Sequence, residues 1–249
     1  MNLTDFIAGN FIIFCRVGGC MMVAPGFSSE RVPIQARLYL SVAISLIIAP
    51  MIMEPGIPRF TAGGGLQLLP LIAHELVIGF ALGLLGRLFI LALETLITTF
   101  CLTIVLGNIF NSGILDAEAT PALSTLIVLA ALQLIFVSDL HHEIIRGIDH
   151  SYQTAPILNE LKISGFLDEI INVLTQSHLL ALRITSPFLI FALIVNLAFA
   201  FLARLSPQTP IFFISGPCVI LLGLYAFDVI SGDFMGSFIG SVAYWMSRG

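Results

Sequence analysis

The sequence predicts an all-α membrane-type protein built of helical hairpins with kinked helices, and composition and segmentation carry this prediction. Charged residues make up 10% and hydrophobic residues 58% of the 249 positions, whereas soluble domains carry about 25% charged residues. Mean hydropathy is +1.04. A helix of about 20 apolar residues crosses a hydrocarbon core of about 30 Å. Five stretches without Asp, Glu, Lys or Arg therefore indicate a polytopic chain: 38–53, 95–115, 119–138, 184–203 and 205–227.

Prolines and glycines divide the N-terminal half into helices. The first helix is expected to end at Pro25-Gly26, because proline cannot continue a helix and glycine permits the turn that follows it. A second break is expected at the proline- and glycine-rich segment 54–58. The last two apolar segments of this half follow each other closely and are either two helices or one long bent helix. The predicted segments are 6–24, 38–53, 66–93 and 95–109.

Segment 110–121 interrupts the apolar region with a mixture of turn-forming and apolar residues. Irregular backbone at membrane depth must be buried in protein or line a watery cavity, because lipid cannot satisfy its polar groups. This segment is therefore the best loop candidate for function. The alternative is an ordinary surface turn between two membrane spans.

A helix over 122–138 leads into a polar insertion at about 139–176, and we interpret the whole chain, 1–249, as one domain. Ser164 is suited to cap a short helix within the insertion. That helix would present an apolar face and pack on protein, since its polar face is acidic, unlike the basic helices that lie on anionic lipid. The apolar residues are Phe166, Leu167, Ile170, Ile171, Val173 and Leu174.

The junction at 204–210 predicts the tight turn of a hairpin between the last two apolar stretches. Arg204 complements the carbonyl groups at the end of the preceding helix, Pro207 prevents its continuation, and Gln208 can bond backbone groups freed by the turn. Gly216-Pro217 then kinks or interrupts the return helix.

Charged residues inside apolar helices are candidates for function, because a central charge costs about 2.5 to 3.5 kcal/mol on insertion scales. These residues are Arg16, Glu75, Arg87 and Glu94. A transporter coupled to protons or ions would use such groups. The alternative is snorkelling or structural ion pairing, which we favour because the four are scattered along the chain and form no compact relay.

Small residues spaced four apart predict places where helices approach closely. One such pair is Gly79 and Gly83, and a second row consists of Gly232, Gly236 and Gly240. Each row could pack against this chain or against another.

Catalytic and metal-binding motifs are not recognised in the sequence. His141-His142-Glu143 lacks the second histidine of H-E-x-x-H, as does His74-Glu75, so no zinc site is expected. No nucleophile elbow, P-loop or dinucleotide fingerprint occurs, and no cofactor is expected. Nucleic-acid binding is also disfavoured, because the net charge is −5 and no basic patch exists.

Several motifs, in the right order, resemble those of the FliR/SctT family, an export-gate component of flagellar and injectisome type III secretion systems. The most specific match is 204–210 followed by Gly216-Pro217. The first-loop match comprises Arg16, Pro25, Arg31, Pro33 and Arg37, the third-helix match Glu75, Gly79 and Gly83, and the polar-loop match Ser151, Tyr152 and Pro156. Together these matches cover residues 10 to 225.

The resemblance implies a non-enzymatic, multi-pass subunit of the bacterial inner membrane, within the flagellar basal body. Its expected partners are FliP-like and FliQ-like membrane subunits, an FlhB-like protein, and unfolded flagellar export substrates. A loop of the family's subunit plugs the closed channel. By position, the plug falls on Gly107, Asn108, Phe110, Asn111, Ser112, Gly113, Ile114, Leu115 and Pro121. This chain departs from the family there, because 98–103 replaces a Gly- and Gln-containing approach and Asp116 is separated from Pro121.

The leading hypothesis is therefore a flagellar export-gate subunit, and three alternatives remain. An injectisome subunit would share most of these motifs. A secondary transporter for a small solute would show internal repeats with paired broken helices, and we find no convincing self-similarity between the two halves. A membrane scaffold without a channel is the third alternative.

Overall fold

The structure, a computed structural model, describes residues 3–29, 32–52, 65–105, 122–157, 163–206 and 211–246. Within these residues it contains only α-helices. They are α1 (Leu3–Val23), α2 (Ile34–Ile52), α3 (Gly65–Val105), α4 (Ala122–Val137), α5 (Leu140–Thr154), α6 (Ile163–Leu205) and α7 (Ile211–Met246). Four described helices are long and apolar enough to cross a membrane, or five spans are present if α4 and α5 form one broken span. The predicted all-α, polytopic membrane-type fold is confirmed.

The N-terminal helices end close to the predicted breaks. The backbone after α1 turns at Gly26, whose φ of 84° lies in the left-handed region that glycine adopts at little cost. The segment 66–93 and residues 95–105 of the next segment belong to a single helix, α3, which settles the choice between two helices and one for the described residues. Pro70 is the sixth residue of this helix, and α3 continues through it although a proline there cannot donate a backbone hydrogen bond.

One expectation about the C-terminal half is wrong, and a second is reduced to one of its two alternatives. The predicted short helix capped by Ser164 is the start of α6, which begins at Ile163 and continues to Leu205. No proline or glycine occurs between Leu167 and Arg183 to end it, so polar composition alone did not break the helix. At Gly216-Pro217 the sequence predicts either a kink or an interruption of the return helix, and the interruption is excluded because α7 runs through both residues.

The described chain divides into two compact units, of which the first comprises Met1–Leu88, Phe136–Leu174 and Trp245–Gly249. Its hydrophobic core is formed mainly by α1 and α2, with residues of α5 and the segment after it. The core residues are Ile12, Ile13, Val17, Cys20, Met21, Ala24, Ile44, Ile48, Ala49, Ile148, Tyr152 and Ile157. On α6, Val173 is buried but Leu167, Ile171 and Leu174 are exposed, so the predicted apolar face is largely uncovered in this chain.

The second unit comprises Phe89–Ile135 and Thr175–Tyr244. Phe188 of α6 is fully buried and packs against Phe100 of α3 and against Phe227 and Phe234 of α7, with ring centroids 5.2 to 6.0 Å apart. Asn196 of α6 donates to the carbonyl oxygen of Thr103 at 3.0 Å. Aromatic packing therefore joins three helices of this unit.

Candidate functional site

A buried ion pair joins Arg16 of α1 to Glu75 of α3. Both side chains have 0% exposure. Nε of Arg16 donates to Oε2 of Glu75 at 2.6 Å, and a terminal nitrogen donates to Oε1 at 2.9 Å. Two parallel hydrogen bonds are the strong geometry for an arginine and a carboxylate. Each charge therefore compensates the other in surroundings where an unpaired ion would be costly.

Helix α5 and the residue after it supply the remaining contacts of the guanidinium. Oγ of Ser151 accepts a hydrogen bond from Arg16 at 3.0 Å, and the carbonyl oxygen of Ala155 accepts another at 2.9 Å. The ring of Tyr152 lies under the guanidinium carbon, 3.9 Å from ring centroid to Cζ. We call Arg16, Glu75, Ser151, Tyr152 and the Ala155 carbonyl the arginine cluster. Its hydrogen bonds connect α1, α3 and the C-terminal end of α5.

Glycines allow the backbones of α1 and α3 to meet beside this cluster. A Cβ atom at Gly79 would collide with the carbonyl oxygen of Arg16, and one at Gly83 would lie 2.5 Å from the carbonyl oxygen of Cys20. Gly19 of α1 faces α3 in return, and a Cβ there would lie 3.0 Å from a backbone oxygen. We call this region, defined by Gly19, Gly79 and Gly83, the α1–α3 contact. Only residues without a side chain fit at its closest point.

Two further arginines hold the loop between α1 and α2. Arg37 donates to the carbonyl oxygens of Ser29, at 2.5 Å, and Val32, at 3.0 Å. Arg87 of α3 donates to Oγ of Ser28 at 3.0 Å. Since carbonyl groups of an irregular loop need donors when water is excluded, these arginines stabilise the loop on α2 and α3.

The structure brings many of the sequence-predicted site residues into one region of the first unit: Arg16, Glu75, Gly79 and Gly83, with Pro25 packed near Gly86. Arg37 belongs to the loop nearby, and Pro33 is exposed just before α2. Other predicted residues lie outside the described residues: Arg31, Gly107, Asn108, Phe110, Asn111, Ser112, Gly113, Ile114, Leu115, Pro121, Pro207 and Gln208.

The predicted residues of the C-terminal half belong to the second unit. Arg204 is exposed in the last turn of α6. The α7 glycine row, Gly232, Gly236 and Gly240, is exposed, and an added Cβ at each would meet no described atom within 4 Å. Within the described residues of the second unit, this row therefore has no packing partner.

Sequence reasoning treated the charged residues as scattered and missed that Arg16 and Glu75 share one site with Ser151 and Tyr152. The signal was present in the motif matches, which placed all four residues in segments that resemble one family. The motifs do not show that these residues lie close together in space, since Arg16 and Ser151 are 135 positions apart in the sequence. The other two charges inside helices behave differently. Arg87 binds the loop, and Glu94 is half-buried on α3.

The arginine cluster has the chemistry of a structural hydrogen-bond network and not of a reaction centre. All three nitrogens of the Arg16 guanidinium donate hydrogen bonds within it. The Ser151 hydroxyl is occupied as well, because it donates to the carbonyl oxygen of Ile148 at 2.6 Å. A second neighbour of Glu75, His74, lies at the longer distance of 3.4 Å. Groups that are buried and already bonded are suited to position helices.

Similarity to known proteins identifies the family of this chain. The family model of bacterial export proteins, family 1, matches residues 7–243. Relatives named flagellar biosynthetic protein FliR include one from Caulobacter vibrioides, 28% identical over 86% of this chain and 84% of the relative. Others come from Buchnera aphidicola subsp. Schizaphis graminum, 28% identical over 97% and 93%, and from Escherichia coli, 27% identical over 84% and 78%. The chain therefore belongs to the bacterial export proteins, family 1, the family of the flagellar FliR proteins.

Proposed function

We propose that this chain is a non-enzymatic subunit of the flagellar type III export gate and forms part of the inner-membrane channel for unfolded flagellar proteins. One observation carries the proposal. Three separate segments that resemble the export-gate family, around Arg16, Glu75 and Ser151-Tyr152, converge on one buried cluster. The family match over 7–243 supports interpreting this cluster as a feature of an export protein.

A role as one subunit among several agrees with the exposure of the C-terminal helices. Within the apolar part of α6, Leu167–Leu205, 11% of the residues in an 18-residue window are buried, compared with 50% in Phe6–Val23 of α1. The α7 glycine row is also uncovered. Such surfaces need lipid or protein neighbours. We propose FliP-like and FliQ-like subunits and an FlhB-like protein as the protein neighbours, in the basal body of the flagellum.

The plug is the finer part of the proposal. Residues 107–121 join two apolar helices and contain turn formers where the chain is otherwise apolar. We propose that this segment closes the channel at rest and moves aside during export. Glycines and asparagines at 107–113 suit a segment that must change conformation, since glycine imposes little steric restriction.

The experiment removes five residues, Asn111 to Leu115, from the chromosomal copy of the gene. Purification through an affinity tag on this chain should recover the dissimilar small membrane partners from both wild type and variant. The variant should make cells permeable to small solutes, measured as uptake of a dye that intact cells exclude. A deletion of equal length at 57–61 is the control and should leave permeability unchanged.

The two parts of the proposal can fail separately. A chain that purifies alone and transports a solute in vesicles would contradict membership of a multi-subunit gate and favour the small-solute transporter. Partners that remain bound while the deletion leaves the membrane tight would contradict only the plug. A leaky membrane with the 57–61 deletion as well would show that loop shortening, and not loss of a plug, causes the leak.

A further inference from the structure

We propose that the break between α4 and α5 carries a binding site for a divalent transition-metal ion, Zn²⁺, formed by Asp139, His141 and His142. One ligand atom from each residue lies within 4.8 Å of the others. Two imidazoles and a carboxylate are a ligand set that zinc accepts, with a fourth position left for water. The site lies apart from the arginine cluster and does not depend on the export function.

The two histidines are brought together in a way that a regular helix does not produce. Consecutive residues on a helix normally point to different sides. Here the ring centroids of His141 and His142 are 4.1 Å apart, and their planes are tilted by 40°. The His141 ring also packs on Phe136, with centroids 5.5 Å apart. Contact with Phe136 at the end of α4 therefore helps to hold the first imidazole beside the second.

Asp139 is placed to complete the set. It is the described non-glycine residue with a positive φ, 57°. It occupies the N-cap position of α5, but its side chain makes no capping hydrogen bond. Instead, Oδ1 lies 3.7 Å from Nδ1 of His142. The carboxylate is thus directed at the imidazole and is not used by the backbone.

The nitrogen atoms are also free to bind an ion. Nδ1 of His141 is buried and has no hydrogen-bond partner among the described residues. Asp139 and His142 are well exposed, with 79% and 61% of their side chains accessible. Glu143, the next acid, is instead paired with Arg146 at 2.6 Å. An ion from solution can therefore reach Asp139 and His142, and His141 adds a ring nitrogen to which no described group is hydrogen-bonded.

Small side-chain rotations are sufficient for coordination. In a tetrahedral site with Zn–N distances of about 2.0 to 2.1 Å, ligand atoms lie roughly 3.3 to 3.4 Å apart. The ligands here need to close by little more than an ångström, and the two exposed side chains have the freedom to do so. A bound ion would connect the cap residue to the first turn of α5 and stabilise the break. The H-E-x-x-H motif does not describe this set, because its ligands lie in the turn before α5 and in the first turn of that helix.

The test uses the full-length chain, purified in detergent through a tag without histidines, with its endogenous metal removed by a chelator and Zn²⁺ then supplied by equilibrium dialysis. We expect one Zn²⁺ per chain. Loss of a ligand in Asp139→Asn or His142→Asn should weaken binding by at least about tenfold, because even partners outside the coordination sphere are worth 10- to 100-fold. His150→Asn is the matched control, since it removes an exposed histidine of the same helix and should leave binding unchanged.

Co²⁺ provides a second readout, because it takes the ligands of zinc and shows visible absorption that reports its coordination. The wild-type spectrum should show bound Co²⁺ that excess Zn²⁺ displaces, and His141→Asn should remove it. The proposal is overturned if the chain retains no metal, or if the Asp139 and His142 variants bind as tightly as wild type. It is also overturned if His150→Asn loses binding to the same extent.

Discussion

Two rows of glycines with the same spacing have opposite surroundings in this molecule. On α3, Gly79 and Gly83 lie against the backbone of α1, and Cβ atoms there would strike the carbonyl oxygens of Arg16 and Cys20. In the α7 glycine row, defined above, added Cβ atoms would meet no described atom within 4 Å. Glycine spacing therefore indicates that a helix can be approached closely. It does not say by what.

The difference lies in what faces each row. Helix α1 offers its own glycine, Gly19, and next to it the arginine that pairs with Glu75 of α3. Close approach and the buried ion pair support each other, because a guanidinium excluded from water needs its partner at hydrogen-bonding distance. Helix α7 shows no such combination among the described residues. Its row is consistent with contact to another subunit, as proposed above.

The largest effect should come from breaking the ion pair of the first region. Arg16→Met leaves buried Glu75 with only the longer contact to His74 at 3.4 Å, which should cost about 3 to 5 kcal/mol of stability. The double variant Arg16→Met, Glu75→Leu should recover most of that loss, since apolar pairs often replace buried ion pairs without cost. Denaturation of the purified chain in detergent, followed for wild type, both single variants and the double variant, measures the coupling.

An exposed pair of the same residue types provides the control. Arg146 and Glu143 are also 2.6 Å apart, but the arginine side chain is 76% exposed. Arg146→Met should change stability by no more than about 1 kcal/mol. Equal losses for Arg16→Met and Arg146→Met would show that burial does not distinguish the two pairs. The arginine cluster would then not be what holds α1, α3 and α5 together.

Much of the fold could be predicted from local sequence, but the site could not. The end of α1 at Val23, just before Pro25-Gly26, follows from two residues with strong backbone preferences. The continuity of α6 was missed because the polar insertion at about 139–176 suggested a separate short helix, which no proline or glycine between 167 and 183 ends. The contact of Arg16 with Ser151 spans 135 positions, and no local pattern contains that distance.

The second prediction compares the two glycine rows directly. Gly79→Ala places a methyl group against backbone that cannot rotate away, and overpacking of this kind costs about 1 to 3 kcal/mol. Gly236→Ala adds a methyl group in open space. It should raise the stability of the isolated chain by about 0.5 to 1 kcal/mol, because alanine favours the helix over glycine. Thermal denaturation of both purified variants measures changes of opposite sign.

The two outcomes sharpen the comparison in different ways. A loss of stability in Gly236→Ala would mean that α7 packs within the chain and that its exposure has another cause. An unchanged Gly79→Ala variant would mean that α1 and α3 can separate without cost. Gly236→Leu, a larger substitution, should then be examined in the assembled complex, where reduced recovery of partner subunits would identify the row as an interface.

The smallest effect separates the ring of Tyr152 from its hydroxyl group. Tyr152→Phe keeps the aromatic face beneath Arg16 and removes a hydroxyl that has no hydrogen-bond partner among the described residues. It should therefore leave stability nearly unchanged. Tyr152→Leu removes the aromatic face and should cost about 2 kcal/mol, the range for a desolvated cation–π contact. If Tyr152→Phe is as unstable as Tyr152→Leu in the same denaturation assay, the hydroxyl group and not the ring stabilises Arg16. The first region would then depend on one more hydrogen bond than its described contacts contain.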